Sequence, residues 1–437
     1  MGESAGLRER LEQKTAHVVV VGLGYVGLPM AVELGKAGFQ VTGVDVSDAK
    51  VETIQAGESG VKDVPAFEVA GLRATDKLKA TTDFAATATA DVVVICVPTP
   101  LSKTRDPDLS FILNSCEQIA THLHPGQLII LESTTYPGTT QELVLPLMEK
   151  TGHKVGEDFY LAYSPERIDP GNKTYTLTNT SKIVGGTTPE CNEMAALFYG
   201  QLIDDVVTVS STGTAEITKL LENTFRSVNI ALVNEVALMC DKLEIDVWEV
   251  ISAAATKPYG FMPFYPGPGL GGHCIPIDPH YLAWKMRTLD FQSKFIELAS
   301  EVTRSMPTYV VTKVSDVLNL FERSVKGSSI LVLGVTYKPN VGDIRESPAL
   351  DIIEMLQTKG AHVSYHDPFV GRLSIENIDM ASVELTEATV QAADCVVIAT
   401  NHESFDYQAL IDHAKCIFDT RNATSGFDRT VGKVFKL

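Results

Sequence analysis

One stretch constrains the fold more than any other: His17-Val-Val-Val-Val-Gly-Leu-Gly-Tyr-Val-Gly-Leu-Pro-Met-Ala-Val-Glu-Leu-Gly35. Its apolar run reads as a strand buried on both faces, which is the signature of a parallel sheet covered by helices. Gly22, Gly24 and Gly27 then form G-x-G-x-x-G, a tight turn that opens directly into a helix. A second β-rich run, Phe39 to Asp45, ends in an acid. Strand, glycine turn, helix, strand and acid in that order predict a βαβ unit that cradles a dinucleotide pyrophosphate at a helix N-terminus. Tyr25 and Val26 fall inside the turn and are counted with it. An acid at the position of Asp45 accepts from a ribose 2′-hydroxyl and repels a 2′-phosphate, so NAD is expected over NADP. Lys50, one turn further on, is a candidate for the ribose or the phosphates; a solvated surface lysine reads the same.

Further apolar runs repeat the plan. Asp91-Val-Val-Val-Ile-Cys-Val ends at Pro98-Thr99-Pro100, and Gln127-Leu-Ile-Ile-Leu-Glu ends at Ser133 and Thr134. Ligands of open α/β sheets sit at the C-terminal ends of the strands, which points Thr99, Ser133 and Thr134 at the cofactor. Tyr160-Leu-Ala-Tyr163 runs into a polar loop carrying Glu166, Arg167, Ile168 and Asp169. Ser329-Ile-Leu-Val-Leu-Gly-Val-Thr-Tyr-Lys-Pro339 starts a second α/β unit, and Asp394-Cys-Val-Val-Ile echoes Asp91-Val-Val-Val-Ile. This weak internal duplication keeps Gly334 but lacks the full glycine pattern. Lys338 and Arg345 lie in its first loop, a good place to hold phosphate.

Between the two units, Ile217, Leu220, Leu221, Phe225, Val228, Leu232, Val236 and Leu238 recur at spacings of mostly three and four. That predicts one long helix from Thr212 to about Leu243, which separates two domains and offers a subunit contact. Lys219 and Asn223 lie four apart on one face, with Arg226 nearby. A loop dense in glycine and proline follows, Pro266-Gly-Pro-Gly-Leu-Gly-Gly-His-Cys-Ile-Pro-Ile-Asp-Pro279. Glycines let backbone close on a ligand. Cys274 sits in this loop, with Asp278 four residues on. By itself it reads equally well as an inert buried thiol.

Composition removes several classes of function. The net charge of −19 argues against nucleic acid and anionic membranes as partners. No apolar run is long enough to span a bilayer, and the start lacks the pattern of a signal peptide. Seven scattered cysteines without a C-x-x-C pair predict no metal site and a reducing, cytoplasmic setting.

Taken together, Gly22-Leu-Gly-Tyr-Val-Gly-Leu-Pro, Val97-Pro-Thr-Pro, Glu132-Ser-Thr-Thr, Ser164-Pro-Glu-Arg, Lys219-Leu-Leu-Glu-Asn, Gly271-Gly-His-Cys-Ile-Pro-Ile-Asp and Lys338-Pro to Arg345-Glu-Ser-Pro resemble the UDP-glucose/GDP-mannose dehydrogenase family. The resemblance runs over roughly residues 15–430. It implies two Rossmann-like, doubly wound parallel-sheet domains joined by a central helical region: an NAD domain at 1–211, a helical and catalytic-loop domain at 212–325, and a UDP-sugar domain at 326–437. It implies oxidation of a sugar-nucleotide C6 alcohol to a carboxylate. Cys274 would be the nucleophile, with Lys219, Asn223 and Asp278 around it and Glu166 as the candidate base that activates water. Arg167, Ile168, Arg226, Tyr265, Gly269, Tyr337 and Lys338 would contact the sugar nucleotide, and Arg345 the cofactor. The motifs look closest to the UDP-N-acetylglucosamine 6-dehydrogenases. UDP-glucose enzymes often carry Arg where Tyr265 stands, and some members carry a second Glu where Pro170 stands. A homodimer or higher homo-oligomer is expected. Two other classes use the same first domain: a two-electron hydroxyacid-type dehydrogenase, which has no need of Cys274, and a non-catalytic NAD-binding sensor. The three readings differ in NADH formed per sugar: two, one or none.

Overall fold

The computed structural model describes the chain except for residues 1, 103–105, 168–171, 173, 273, 376 and 429–431, and the side chains of 2–5. It divides into two compact units, residues 1–222 with 280–291, and residues 223–279 with 292–437.

The first unit is built on eight strands: β1 (His17–Val21), β2 (Gln40–Val44), β3 (Leu78–Thr81), β4 (Val92–Ile95), β5 (Leu128–Leu131), β6 (Tyr160–Tyr163), β7 (Lys182–Gly186) and β8 (Val206–Val209). They lie in the order β3-β2-β1-β4-β5-β6-β7-β8. Neighbours are parallel except β6 and β7, which meet antiparallel. Strands β4, β5 and β6 are buried along their whole length, as apolar runs covered on both faces must be. The order reverses at β1, where β2 lies on one side and β4 on the other, and this is where such sheets open a ligand crevice.

The second unit carries β9 (Ser329–Leu333), β10 (His362–His366), a small antiparallel pair β11 (Arg372–Ile375) and β12 (Ile378–Ala381), β13 (Cys395–Ile398), β14 (Ile417–Asp419) and β15 (Val434–Lys436). Its main sheet is parallel in the order β10-β9-β13-β14-β15, with the reversal between β9 and β13. The helix Lys294–Leu320 buries Met306, Val310, Val311, Val314 and Leu318 in the core that also holds Ile352, Ile353 and Leu356 of the helix Pro348–Thr358.

The long helix Thr212–Lys242 belongs to both units, divided after Glu222. Its buried face mixes polar and apolar residues, with Ala215, Leu220, Ala231, Val233 and Ala237 on it. Glu216, Lys219, Asn223, Ser227 and Asn234 are buried, whereas Ile217, Leu221, Phe225, Leu232 and Met239 are exposed, Leu221 at 62 %. A 3.6-residue period fixes which residues share a face, but not which face meets the rest of the chain.

Candidate functional site

In the first unit the glycine turn leaves β1. Gly22 adopts φ +93°, and a Cβ there would stand 2.7 Å from the Cys96 carbonyl oxygen at the end of β4. A Cβ on Gly27 would lie 1.8 Å from the Gly22 oxygen, so helix Gly27–Ala37 closes on the turn only because residue 27 has no side chain. A Cβ on Gly24 meets nothing within 4 Å, so the turn is open on that side. Asp45, after β2, is buried. Its Oδ2 accepts the Leu23 N–H at 2.8 Å and the Lys50 ammonium at 2.9 Å, and its Oδ1 accepts the Ser47 N–H at 3.0 Å. The carboxylate thus braces the turn from the side where a ribose would lie, with Lys50 tied to it. Tyr25 is exposed and Val26 caps the helix. This cradle fits a dinucleotide. Ser133 donates to the Val97 carbonyl at 2.7 Å, Tyr281 donates to the Thr99 carbonyl, and Thr134 is half-buried.

Beneath the ends of β5 to β7 lies a buried polar network that sequence reasoning missed. Glu132 accepts from the Lys182 ammonium at 2.6 Å and from the Tyr199 hydroxyl, and the Cys96 thiol approaches it at 3.7 Å. Burial opposes the charge on Lys182, but Glu132 and Glu166 more than offset it and hold it protonated. Burial and then Glu132 push the Cys96 thiol well above its ordinary range, which leaves it unreactive. The loop after β6 is pinned to β7: Ser164 donates to the Ile183 carbonyl at 2.7 Å and Arg167 to the Ser181 carbonyl at 2.6 Å. Arg167 also pairs with Glu222 at 2.8 Å, and Lys219 donates to the Glu166 carbonyl. Glu166 and Lys219 are both buried, so Lys219 is no solvated surface lysine. Ile168 lies outside the described residues.

In the second unit Gly269, Gly271 and Gly272 of the glycine loop make contacts that leave no room for a Cβ. Gly267 donates its N–H to Asn234 Oδ1 at 2.9 Å, and a Cβ there would meet Arg421 Nη1 at 2.5 Å. Gly269 faces Pro348, while Gly271 and Gly272 lie against Tyr337, whose ring would stand 2.9 Å from a Cβ on Gly272. Gly272 also donates to the Arg345 carbonyl at 3.0 Å. Cys274, half-buried, then turns into the helix Asp278–Arg287, its carbonyl accepting the Asp278 N–H at 2.7 Å. Asn223 donates to Asp278 Oδ2 at 2.5 Å, both side chains being buried. The loop has polar company. Asn234 Nδ2, Thr303 Oγ1 and Ser347 Oγ are buried without hydrogen-bond partners. Arg421, half-buried after β14, donates to the Ala399 carbonyl at 3.0 Å, and desolvation pushes its pKa down to about 10. Nothing local in the sequence marks Arg421; it reaches Gly267 only through the sheet.

Other expected residues stand apart. Arg226 is exposed, and Tyr265, 55 % exposed, stacks on Trp248. Arg345 makes a two-pronged pair with Asp343 in the second unit. Among the described residues no helix is long and apolar enough to cross a membrane.

Comparison with known proteins matches three successive segments to the UDP-glucose/GDP-mannose dehydrogenase family. These are its NAD binding domain over residues 16–203, its central domain over 213–305 and its UDP binding domain over 331–426. A UDP-N-acetyl-D-glucosamine 6-dehydrogenase of Salmonella typhi is 35 % identical over 390 residues, 89 % of this chain and 90 % of the relative. A UDP-N-acetyl-D-mannosamine dehydrogenase of Methanococcus maripaludis is 34 % identical over 93 % of this chain and 92 % of its own. Among solved structures, a UDP-D-ManNAc dehydrogenase from Pyrococcus horikoshii superposes with a TM-score of 0.87 at 32 % identity, covering 96 % of this chain and 98 % of that one.

Proposed function

The chain belongs to the UDP-glucose/GDP-mannose dehydrogenase family and is an NAD-dependent nucleotide-sugar dehydrogenase; from that premise we propose that its substrate is UDP-N-acetylglucosamine, oxidised at C6 to the uronate through a covalent Cys274 intermediate. The observation that carries the covalent chemistry is the Asn223–Asp278 bond at 2.5 Å, one turn from a cysteine on a closely packed glycine loop.

Going from alcohol to acid removes two hydrides, and NAD, when bound, accepts them in turn. The chain's own groups do the rest. Asp278, through water, takes the C6 hydroxyl proton as the first hydride leaves. The Cys274 sulfur adds to the aldehyde carbon as a thiohemiacetal, which keeps it from escaping. Lys219 and Asn223 donate to the C6 oxyanion, each donor worth on the order of 3 kcal/mol of barrier. Loss of the second hydride leaves a thioester, which water hydrolyses with Glu166 as base, releasing the thiol. A thiol ordinarily has a pKa of about 8.5, so Cys274 needs a cation to act as thiolate, and Lys219 is assigned that task. The pyrophosphate and uridine are assigned to the second unit. Arg421, Lys338 and the partnerless Asn234, Thr303 and Ser347 groups support this, because buried polar atoms call for partners. Gly269 and Tyr337 shape the loop beside them. Arg345 remains assigned to the cofactor and Arg167, Arg226 and Tyr265 to the sugar nucleotide.

The choice of sugar rests on Tyr265, which stands where UDP-glucose enzymes often place Arg. UDP-N-acetylmannosamine is the second reading, favoured by the relatives of that activity. A panel of UDP-sugars assayed for NADH decides: UDP-N-acetylglucosamine should be oxidised fastest and yield two NADH per sugar. A preference for UDP-glucose would overturn the assignment, and a preference for the manno epimer would reject the sugar but keep the chemistry. The exposed stripe of Ile217, Leu221, Phe225 and Leu232 supports a homodimer across the long helix.

A further inference from the structure

The two sheets share a device at their points of reversal. In the first unit Gly22 donates to the Val44 carbonyl and Leu23 donates to Asp45 Oδ2. In the second unit Gly334 donates to the His366 carbonyl at 2.9 Å and Val335 donates to Asp367 Oδ2 at 2.8 Å. Asp367 is thus the counterpart of the acid that faces a ribose in the first unit. It faces none here, because its side chain is fully buried and closed off by His402 Nε2 at 3.0 Å and by the Phe369 N–H at 2.8 Å.

His402 has a second partner. Its Nδ1 lies 3.0 Å from the Asn340 N–H. An N–H can only donate, so Nδ1 accepts and the ring proton sits on Nε2, directed at Asp367. Asn340 returns the contact: its Oδ1 accepts the Glu403 N–H at 3.1 Å. Asn340 has φ +64°, a left-handed conformation that needs such support. The imidazole is gripped by the Phe369 and Phe405 rings at 5.1 and 5.3 Å, and the backbone carbonyl of His402 accepts from the Tyr407 hydroxyl at 2.9 Å. From this fixed point the chain runs back through Lys338, whose carbonyl accepts from Thr336 at 3.0 Å, to Tyr337, which lies under Gly271 and Gly272.

We propose that His402 is a positioning residue for nucleotide-sugar binding: its Nδ1 clasps Asn340 and so sets the Tyr337–Asn340 loop against the glycine loop that carries Cys274. This rests on the reading of that loop as part of the UDP site. The alternative role, packing alone, predicts that any polar isostere of similar size behaves the same.

Two substitutions in the full-length chain separate the ring's two nitrogens. Asn places an oxygen where Nδ1 stood but does not reach Asp367; Gln reaches Asp367 but offers nothing at Nδ1. His402→Gln should weaken UDP binding, measured by titration calorimetry, and raise KM for UDP-N-acetylglucosamine about tenfold, as expected for one orphaned N–H. NAD affinity and kcat should stay within about twofold and His402→Asn should restore most of the loss. Should His402→Gln fail to fold, Asn340→Gly serves instead: it keeps the N–H and the positive φ but loses the bond to Glu403, and should weaken UDP about threefold. Equal loss of UDP affinity in His402→Asn and His402→Gln, or no loss in His402→Gln and Asn340→Gly, overturns the clasp. Lys338→Ala tests the underlying reading separately: if it loses UDP while His402→Gln does not, only the clasp fails; if it binds UDP like the wild type, the site assignment fails.

Discussion

Replacing Gly27 and Gly24 singly by Ala separates the two tasks of the glycine turn. At Gly27 the new methyl would sit 1.8 Å from the Gly22 oxygen and 3.2 Å from the Cys96 Cβ. The oxygen belongs to backbone anchored on both sides, Gly22 N–H to Val44 and Cys96 N–H to Val21, each at 2.7 Å. Relief therefore means a backbone shift of over an ångström, at the upper end of the cost of overpacking, ~3 kcal/mol. For a body of this size that lowers Tm by about 6–12 °C without any ligand. At Gly24 the methyl meets nothing within 4 Å, so Tm should stay within about 2 °C. The same methyl occupies the open side of the turn, where backbone must approach a pyrophosphate, and NAD should bind at least about tenfold more weakly. Scanning fluorimetry of the ligand-free protein and calorimetric titration with NAD read the two effects. Gly27→Ala melting with the wild type, or Gly24→Ala losing as much stability as Gly27→Ala, refutes the reasoning.

Asp45→Ala should narrow the preference for NAD over NADP, measured as the ratio of kcat/KM; equal wild-type use of both cofactors would show that the carboxylate does not meet the ribose. Asp367 contributes an acid limit to stability. Burial pushes its carboxyl up, but His402 and the Val335 and Phe369 N–H groups outweigh burial and hold it below its ordinary 3.8. A depressed carboxylate stabilises above its unfolded pKa and loses that contribution as pH falls through the folded value. Asp367→Asn should accordingly be less stable near neutrality and show a shallower loss below about pH 4 in urea unfolding. A wild-type acid slope in that variant contradicts the assignment.

Much of the architecture is legible in the sequence because it is written locally. Apolar runs such as Val92–Ile95 and Leu128–Leu131 become the fully buried strands, and the glycine pattern marks its own turn. The long helix is legible in period and extent but not in orientation. Ile217, Leu221, Phe225 and Leu232 face outward, while Glu216, Lys219 and Asn223 are buried along with Leu220 and Val233, because what packs on a helix decides which of its residues are covered. The antiparallel entry of β7, the Glu132–Lys182–Tyr199 network and the His402 clasp are invisible to any window. Lys182 stands 50 residues from Glu132 and His402 stands 62 from Asn340, so only the fold brings them together. Cys274, Lys219, Asn223 and Asp278 could be named from short motifs, whereas Arg421 could not.

The covalent step is the centre of the account, and trapping it tests that centre directly. If Glu166 activates the water that hydrolyses the thioester, Glu166→Gln with NAD and UDP-N-acetylglucosamine should release a burst of about two NADH per site and then stall. Intact-protein mass spectrometry of the quenched reaction should find the chain heavier by the uronyl nucleotide acyl group, with peptide mapping placing it on Cys274. Stalling without an adduct, or an adduct on any other cysteine, would contradict it.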